Sequence, residues 1–292
     1  VDRYHTPVLV NEVVQWMNLK EDGIYCDCTA GGGGHLLMML KKTKNARFIG
    51  IDWDPDALAY IEANLGDFKE RVVLYEGNFA ELDSILEQLN ISGLNGVLFD
   101  LGVSLHQLTT PERGFSFNHE GRLLMQFSPR VQPLYKRLRS VNFTTIFEVL
   151  KKYGDVPNAK RLAKSIFENR HKLNTTMDLR KLVEKQYSPR FLKKNLHRVF
   201  QALRIWTNDE LTNLQIGLEK AIDVLYPSGR IVVISYHSGE DYIVKNVIRE
   251  SEKIGRLKRL NKKVIRPSQI EIKLNPSARS ARMRVGEKCA LS

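Results

Sequence analysis

Ile24-Tyr25-Cys26-Asp27-Cys28-Thr29-Ala30-Gly31-Gly32-Gly33-Gly34-His35 is the stretch on which the fold turns. Ile24 to Cys28 reads as a short buried strand, because apolar residues dominate it and a glycine run stops it. Gly31 to Gly34 permit a sharp turn and a close backbone approach to a ligand. A helix near Leu36 to Lys42 should follow, with its first amides free to face a polar group. The run lacks the Gly-Lys-Ser/Thr ending of a P-loop and the usual dinucleotide-binding glycine spacing.

Moving outward, the same strand-turn-helix unit repeats. Arg47 to Ile51 forms a second strand ending at Asp52, and Asp54-Pro55 is an N-cap followed by a first-turn proline. The helix after it should run to about Leu65. Val72 to Tyr75 and Gly96 to Leu101 are further strands, separated by a helix over Leu82 to Leu89. This βαβαβαβ order predicts an α/β fold with a mostly parallel sheet. Upstream, Pro7 to Met17 has helical periodicity. Beyond Leu101 the alternation breaks, and helices are predicted near 143–152, 158–169 and 178–186, with Pro157 and Pro189 as boundaries. Alternation resumes with a helix over Asp209 to Leu225, a Pro227-Ser228-Gly229 turn and a strand over Arg230 to Ser235. Ile270 to Leu274 and Ala281 to Val285 read as late antiparallel strands around the Asn275-Pro276-Ser277 turn. The expected organisation is a core of residues 1–108 and 199–292, interrupted by a predominantly helical insertion at 109–198.

The 292 residues suffice for one large or two ordinary domains, and the 42% hydrophobic content supports a substantial core. Three cysteines exclude a disulfide scaffold. No run approaches eighteen apolar residues, so no membrane span is expected, and no strong anchor accompanies the basic charge that would hold the chain to an anionic membrane surface. The polar start, Val1 to Thr6, is unlike a secretory leader. The expected location is the cytoplasm, or an organellar matrix after loss of a transit peptide. The formal charge of +12 is unevenly spread: −8 over residues 1–129, +13 over 130–200, −3 over 201–241 and +10 over 242–292. An acidic core beside two basic blocks is the pattern of a nucleic-acid enzyme, against the plainer alternative of solvated helix faces.

Asp52 ends the second strand, where a carboxylate commonly meets the two hydroxyls of a ribose. Asn78-Phe79 follows the third strand and is placed to border an adenine, and Asp100 ends the fourth on the same side of the sheet. Cys26 and Cys28 are read as facing opposite sides of their strand, with Cys289 far along the chain, so no metal site is expected. His35 and His237 are candidates for loop contacts.

A family resemblance runs along nearly the whole chain. His5-Thr6-Pro7-Val8-Leu9, Asn11-Glu12-Val13, Asp27 to His35, Gly50-Ile51-Asp52-Trp53-Asp54-Pro55 and Gly77-Asn78-Phe79 resemble, in order, the bacterial and organellar enzyme that methylates N4 of a cytidine in small-subunit ribosomal RNA. More distinctive are Asp100-Leu101-Gly102-Val103-Ser104 through Gln107-Leu108, Pro111 to Phe117, Phe200-Gln201-Ala202-Leu203-Arg204-Ile205 and Asn208-Asp209-Glu210-Leu211. Ser235-Tyr236-His237-Ser238 and Asn275-Pro276 with Ala278-Arg279-Ser280 complete the series.

The resemblance implies a class I S-adenosylmethionine-dependent methyltransferase sheet interrupted by a helical insertion, acting in rRNA processing. It assigns cofactor contacts to Gly33, Gly34, His35, Asp52, Phe79, Asp100 and Gln107. Asp100, with Ser235 and His237, is the candidate catalytic set. The expected partner is small-subunit ribosomal RNA or the assembled small subunit, with monomer and homodimer both open. Trp53, Phe115, Phe117 and Trp206 are candidate stacking residues. The sequence departs from the family pattern at Leu124 and Gln126, where an acid and a base are usual, and at Val156 and Gly239. Alternatives are a small-molecule or protein methyltransferase, and an RNA-binding descendant with weakened catalysis.

Overall fold

The computed structural model describes residues 7–290, so the His5-Thr6 part of the opening motif lies outside the described residues. The chain divides into two compact units, Val1–Ser104 with Leu211–Ser292, and Leu105–Glu210.

In the first unit the elements follow the predicted order: α1 (Val10–Met17), β1 (Ile24–Asp27), α2 (Gly34–Leu40), β2 (Arg47–Asp52), α3 (Pro55–Asn64), β3 (Val72–Glu76), α4 (Leu82–Gln88) and β4 (Leu94–Asp100). The second unit holds α5 (Leu105–Thr109), α6 (Leu134–Ser140), α7 (Phe143–Gly154), α8 (Ala159–Asn169), α9 (Thr176–Glu184) and α10 (Pro189–Thr207). The chain then returns through α11 (Glu210–Val224), β5 (Leu225–Ser235), α12 (Ser238–Lys253), β6 (Leu257–Arg259), α13 (Gln269–Leu274) and β7 (Arg282–Lys288).

The seven strands lie in the order β3-β2-β1-β4-β5-β7-β6. The first five are mutually parallel, and β7 runs antiparallel to both β5 and β6. This is the class I methyltransferase arrangement. Side chains alternate across the sheet, as period two requires. Cys26, Ile49, Ile51, Val97, Phe99, Ile231 and Val233 pack under α4, α11 and α12, whereas Tyr25, Phe48, Leu98, Val232, Ile234, Met283 and Val285 pack under α1, α2 and α3. With Asp27 paired to Leu98 and Asp100 to Ile234, the carboxyl ends of the central strands lie level.

Four expectations need correction. Ile270 to Leu274 is the helix α13, not a strand; Ser268 Oγ caps it by accepting the Glu271 amide at 3.1 Å. The second antiparallel edge strand is Leu257–Arg259 instead. Pro227-Ser228-Gly229 lies inside β5: Leu225 pairs with Leu94 and Arg230 with Gly96, so the turn is a bulge, with Ser228 at φ 65°. Cys26 and Cys28, two residues apart, share one face, and their Sγ atoms are 3.6 Å apart. Finally, Pro189 opens a 19-residue helix at its first turn, so the boundary expected at 198–199 falls inside α10.

Within the helical unit the candidate stacking rings are packed inward. Phe115 stacks on Phe127 at 5.4 Å, and Phe117 meets His197 and Phe200 edge-on. Trp206 is buried beneath the Arg137 guanidinium, 4.6 Å from its ring. The departure at Leu123–Gln126 is also structural. Met125 adopts φ 53°, its carbonyl accepts from Asn208 Nδ2 at 2.8 Å, and Gln126 Nε2 donates to the Ser128 and Val131 carbonyls. Gln126 thus supplies nitrogen donors at a place where the family usually has a base.

Candidate functional site

The glycine turn continues the β1 ladder before it breaks away. Cys28 N donates to Leu98 O and Ala30 N to Ile51 O, both at 2.9 Å. The chain then turns through Gly31 at φ 50° and Gly33 at φ 77°, conformations that favour glycine. Gly34 is constrained by packing, since a Cβ there would lie 2.8 Å from Pro7 Cγ. Asp52 braces this turn from the end of β2. Its Oδ2 accepts from Gly31 N at 2.7 Å and its Oδ1 from Asp54 N at 2.9 Å. Burial pushes the Asp52 carboxyl up to about 6 despite those amides.

Next to it lies a compact set of acids. Asp27, 1% exposed, accepts from Thr29 N at 3.1 Å. Burial raises its pKa to about 7, opposed mainly by the His35 charge. Thr29 Oγ1 lies 3.4 Å from Asp27 and itself accepts the Asp100 amide at 2.6 Å, tying the ends of β1 and β4 together. Asp100 is held from two sides. Tyr236 Oη donates to Oδ1 at 2.8 Å, and His35 Nε2 stands 3.3 Å from Oδ2. That second contact is at ion-pair distance without hydrogen-bond alignment, and neither ring nitrogen of buried His35 makes a hydrogen bond among the described residues. Burial lowers the His35 pKa, but Asp100, Asp27 and Glu271 outweigh it and the net shift is upward. Burial, and then the Asp100 charge, push the Tyr236 hydroxyl up, so it remains a proton donor.

Glu271 reaches this set from α13. Its Oε1 accepts the amide of Leu9 at 2.7 Å. Leu9 is fully buried at φ 55°, an uncommon conformation for a leucine, held by the packing around it.

The other candidates have different surroundings. Ser235 is buried with Oγ turned 3.4 Å from the Arg282 carbonyl on β7. His237 caps α12: its Nδ1 accepts from Glu240 N at 3.3 Å, while buried Glu240 accepts the amides of Tyr236 and His237. Phe79 packs edge-to-face on Phe99 at 5.4 Å and against Gly217, where a Cβ would come within 2.6 Å of the ring. Gln107 is buried in α5 of the helical unit.

The structure brings Asp52, Asp100 and His35 to the same end of the sheet, beside Asp27, Thr29, Tyr236 and Glu271, which the sequence reading did not single out. Asp27 stood in the decisive stretch at the strand end where ligands gather. Tyr236 stood between Ser235 and His237. Glu271 carried no signal once its segment was read as a strand.

Comparison with known proteins gives this geometry its context. The chain matches the MraW methylase family over residues 2–289. The ribosomal RNA small subunit methyltransferase H of Coprothermobacter proteolyticus is 41% identical over 287 residues, covering 97% of this chain and 96% of that protein. The protein of the same name from Sulfurihydrogenibium sp. is 40% identical over 290 residues, covering 97% and 99%. A match of this extent, on a sheet of this order with carboxylates at the ends of β1, β2 and β4, means that the chain belongs to the MraW methylase family and is an S-adenosylmethionine-dependent methyltransferase.

Proposed function

We propose that the enzyme methylates N4 of a cytidine in small-subunit ribosomal RNA. The observation that carries this reading is Asp100 at the end of β4, clasped by Tyr236 and facing His35, in a chain that matches the rRNA methyltransferases along almost its whole length.

The residues present suit the cofactor. Three carboxylates, Asp27, Asp52 and Asp100, crowd one strand-end region, and two of them have pKa values raised by burial. A ligand bearing a sulfonium and an ammonium relieves that cost through opposite charge. S-adenosylmethionine, when bound, supplies an electrophilic methyl. Asp52 retains lone pairs for ribose hydroxyls beyond its two amide contacts, and Gly33, Gly34 and His35 bring the start of α2 beside them. Phe79 is assigned to the adenine side, and Asp27 and Asp100 to the cationic end.

The N4 amine is a weak nucleophile because its lone pair is delocalised into the ring. Asp100 accepts a hydrogen bond from that amine and takes its proton as the bond to carbon forms. Tyr236 fixes the carboxylate so that its hydrogen bond can orient N4, where a displacement of about 1 Å costs roughly a hundredfold in rate. Ser235 and His237 act around this group: one ties β5 to β7, the other fixes the turn that carries Tyr236. The basic blocks, +13 and +10, hold phosphates of RNA or of the assembled subunit. The enzyme works where small subunits are made, in the cytoplasm or an organellar matrix. Among the described residues no helix is long and apolar enough to cross a membrane.

The test is incubation of the protein with labelled S-adenosylmethionine and unmethylated small subunits, followed by nucleoside mass spectrometry. N4-methylcytidine should form, and Asp100→Ala should keep the fold and lose most product. Its absence from free RNA, assembly intermediates and complete subunits overturns the reading.

A further inference from the structure

Helix α13 has two contrasting faces. Inward, Glu271 binds the Leu9 amide and adds its charge to the surroundings of His35 and Tyr236. Outward, Ile270 and Leu274 are 72% and 82% exposed, Leu274 being the most exposed large apolar side chain among the described residues. They stand four apart, so they lie on one side of the helix. The helix is firmly seated, because Ile265 and Met283 exchange backbone hydrogen bonds before it and buried Ala278 anchors the turn after it.

The same segment carries five exposed cations: Lys262, Lys263, Arg266, Lys273 and Arg279. None of them has an ion-pair partner among the described residues, and the one carboxylate of the segment, Glu271, is turned inward. Elsewhere in this unit cations find acids: Arg284 meets Asp241 at 2.7 Å and Arg230 meets Glu287 at 3.0 Å. Exposed cations before, within and after a helix that bears an exposed apolar pair and reaches the catalytic set call for a polyanion with apolar faces.

We propose that the outer face of α13 docks the RNA strand flanking the target nucleotide. Ile270 and Leu274 lie against unstacked base faces, and the lysines and arginines of the same segment hold the adjoining phosphates. The proposal rests on the RNA reading given above and deepens it. An enzyme that acts on a base must take it out of its stack, and aliphatic side chains are a known means of occupying an opened base step. Cations on both sides of the pair fix the backbone that such a step leaves extended.

The experiment uses the full chain, unmethylated small-subunit RNA and two variants: Ile270→Ser with Leu274→Ser, and Lys262→Ala with Lys263→Ala and Arg266→Ala. All five positions are exposed, so the thermal midpoint should hold. The apolar variant should bind RNA roughly tenfold more weakly, the loss expected when burial of an apolar side chain is forfeited, with its salt dependence unchanged. The cationic variant should lower the slope of log affinity against log salt by about 2, for three single-strand phosphate contacts. Affinity for S-adenosylmethionine, read by calorimetry, should not move in either. Unchanged RNA affinity in the apolar variant overturns the proposal. So does binding of wild-type protein to vesicles of anionic lipid that the same serines abolish while RNA binding persists, since that face would then serve a membrane surface. Wild-type product formation separates the two readings. Methylation with undiminished variant binding sinks the docking surface alone, whereas diminished variant binding without methylation sinks the reaction alone.

Discussion

Replacing Asp27 with asparagine should make the protein more stable above neutral pH while weakening its hold on the cofactor. Asp27 is 1% exposed, and burial pushes its carboxyl up to about 7. In the unfolded chain an aspartate titrates near roughly 4. The folded protein therefore keeps this proton to higher pH than the unfolded chain, and between those two values it binds more protons. Stability falls as pH rises through that window and levels off above it. A shift of about three pKa units sets an upper bound on the order of 4 kcal/mol. Asparagine removes the charge and keeps an oxygen for Thr29 N, but its amide hydrogens lack acceptors, which costs about 1–2 kcal/mol. The net expectation is a gain of about 1–3 kcal/mol near pH 8 and a loss of about 1 kcal/mol near pH 4. His35 works in the same direction. Its raised pKa contributes stability below its unfolded value, lost as pH rises through the folded one, so the variant flattens the profile twice. Urea denaturation of both proteins across this range, with calorimetric titration of S-adenosylmethionine, reads both effects. A variant less stable than wild type near pH 8 refutes the claim that the carboxylate is held there at a cost in stability.

Three further changes probe other parts of the site and scaffold. Asp52→Ala removes the acceptor shared by Gly31 N and Asp54 N; cofactor affinity should fall by about 1 kcal/mol or more, and unchanged calorimetry would remove Asp52 from the site. Tyr236→Phe deletes the donor to Asp100 Oδ1; turnover should drop at least about tenfold, as for a hydrogen bond to a charged group, with cofactor affinity preserved, and undiminished turnover would show that the clasp is idle. Gly114 sits at φ 71° against the Arg122 carbonyl; Gly114→Ala should destabilise the helical unit by about 3 kcal/mol or more, visible as faster proteolysis between residues 105 and 210.

Much of the site was legible because its signals are local. Asp52 and Asp100 each end a strand whose length and apolar run are written in neighbouring residues, and parallel order brings such ends together. The segment around Leu123 to Gln126 shows the opposite case. In the sequence its altered residues show only the loss of an acid and a base, whereas in the fold Gln126 hydrogen-bonds two carbonyls and Met125 is fixed from Asn208, 83 positions away. Asn208-Asp209-Glu210 likewise reads as a bare motif, although Asp209 pairs with Arg137 and Glu210 with Arg204.

By itself, the sequence determined the alternating strands and helices, the parallel half of the sheet, the glycine turn and the presence of a helical interruption. Each depends on hydrophobic period, caps and turn residues within about a dozen positions. Only the tertiary structure decided that Ile270 to Leu274 is helical, because the edge of the sheet beside β7 is taken by Leu257–Arg259. Only it joined Glu271 to Leu9 across 262 positions and set Tyr236 on Asp100 across 136. The raised pKa of Asp27 belongs there too, since a carboxyl's protonation follows from the burial and charges that folding brings around it, and the order of residues along the chain does not contain them.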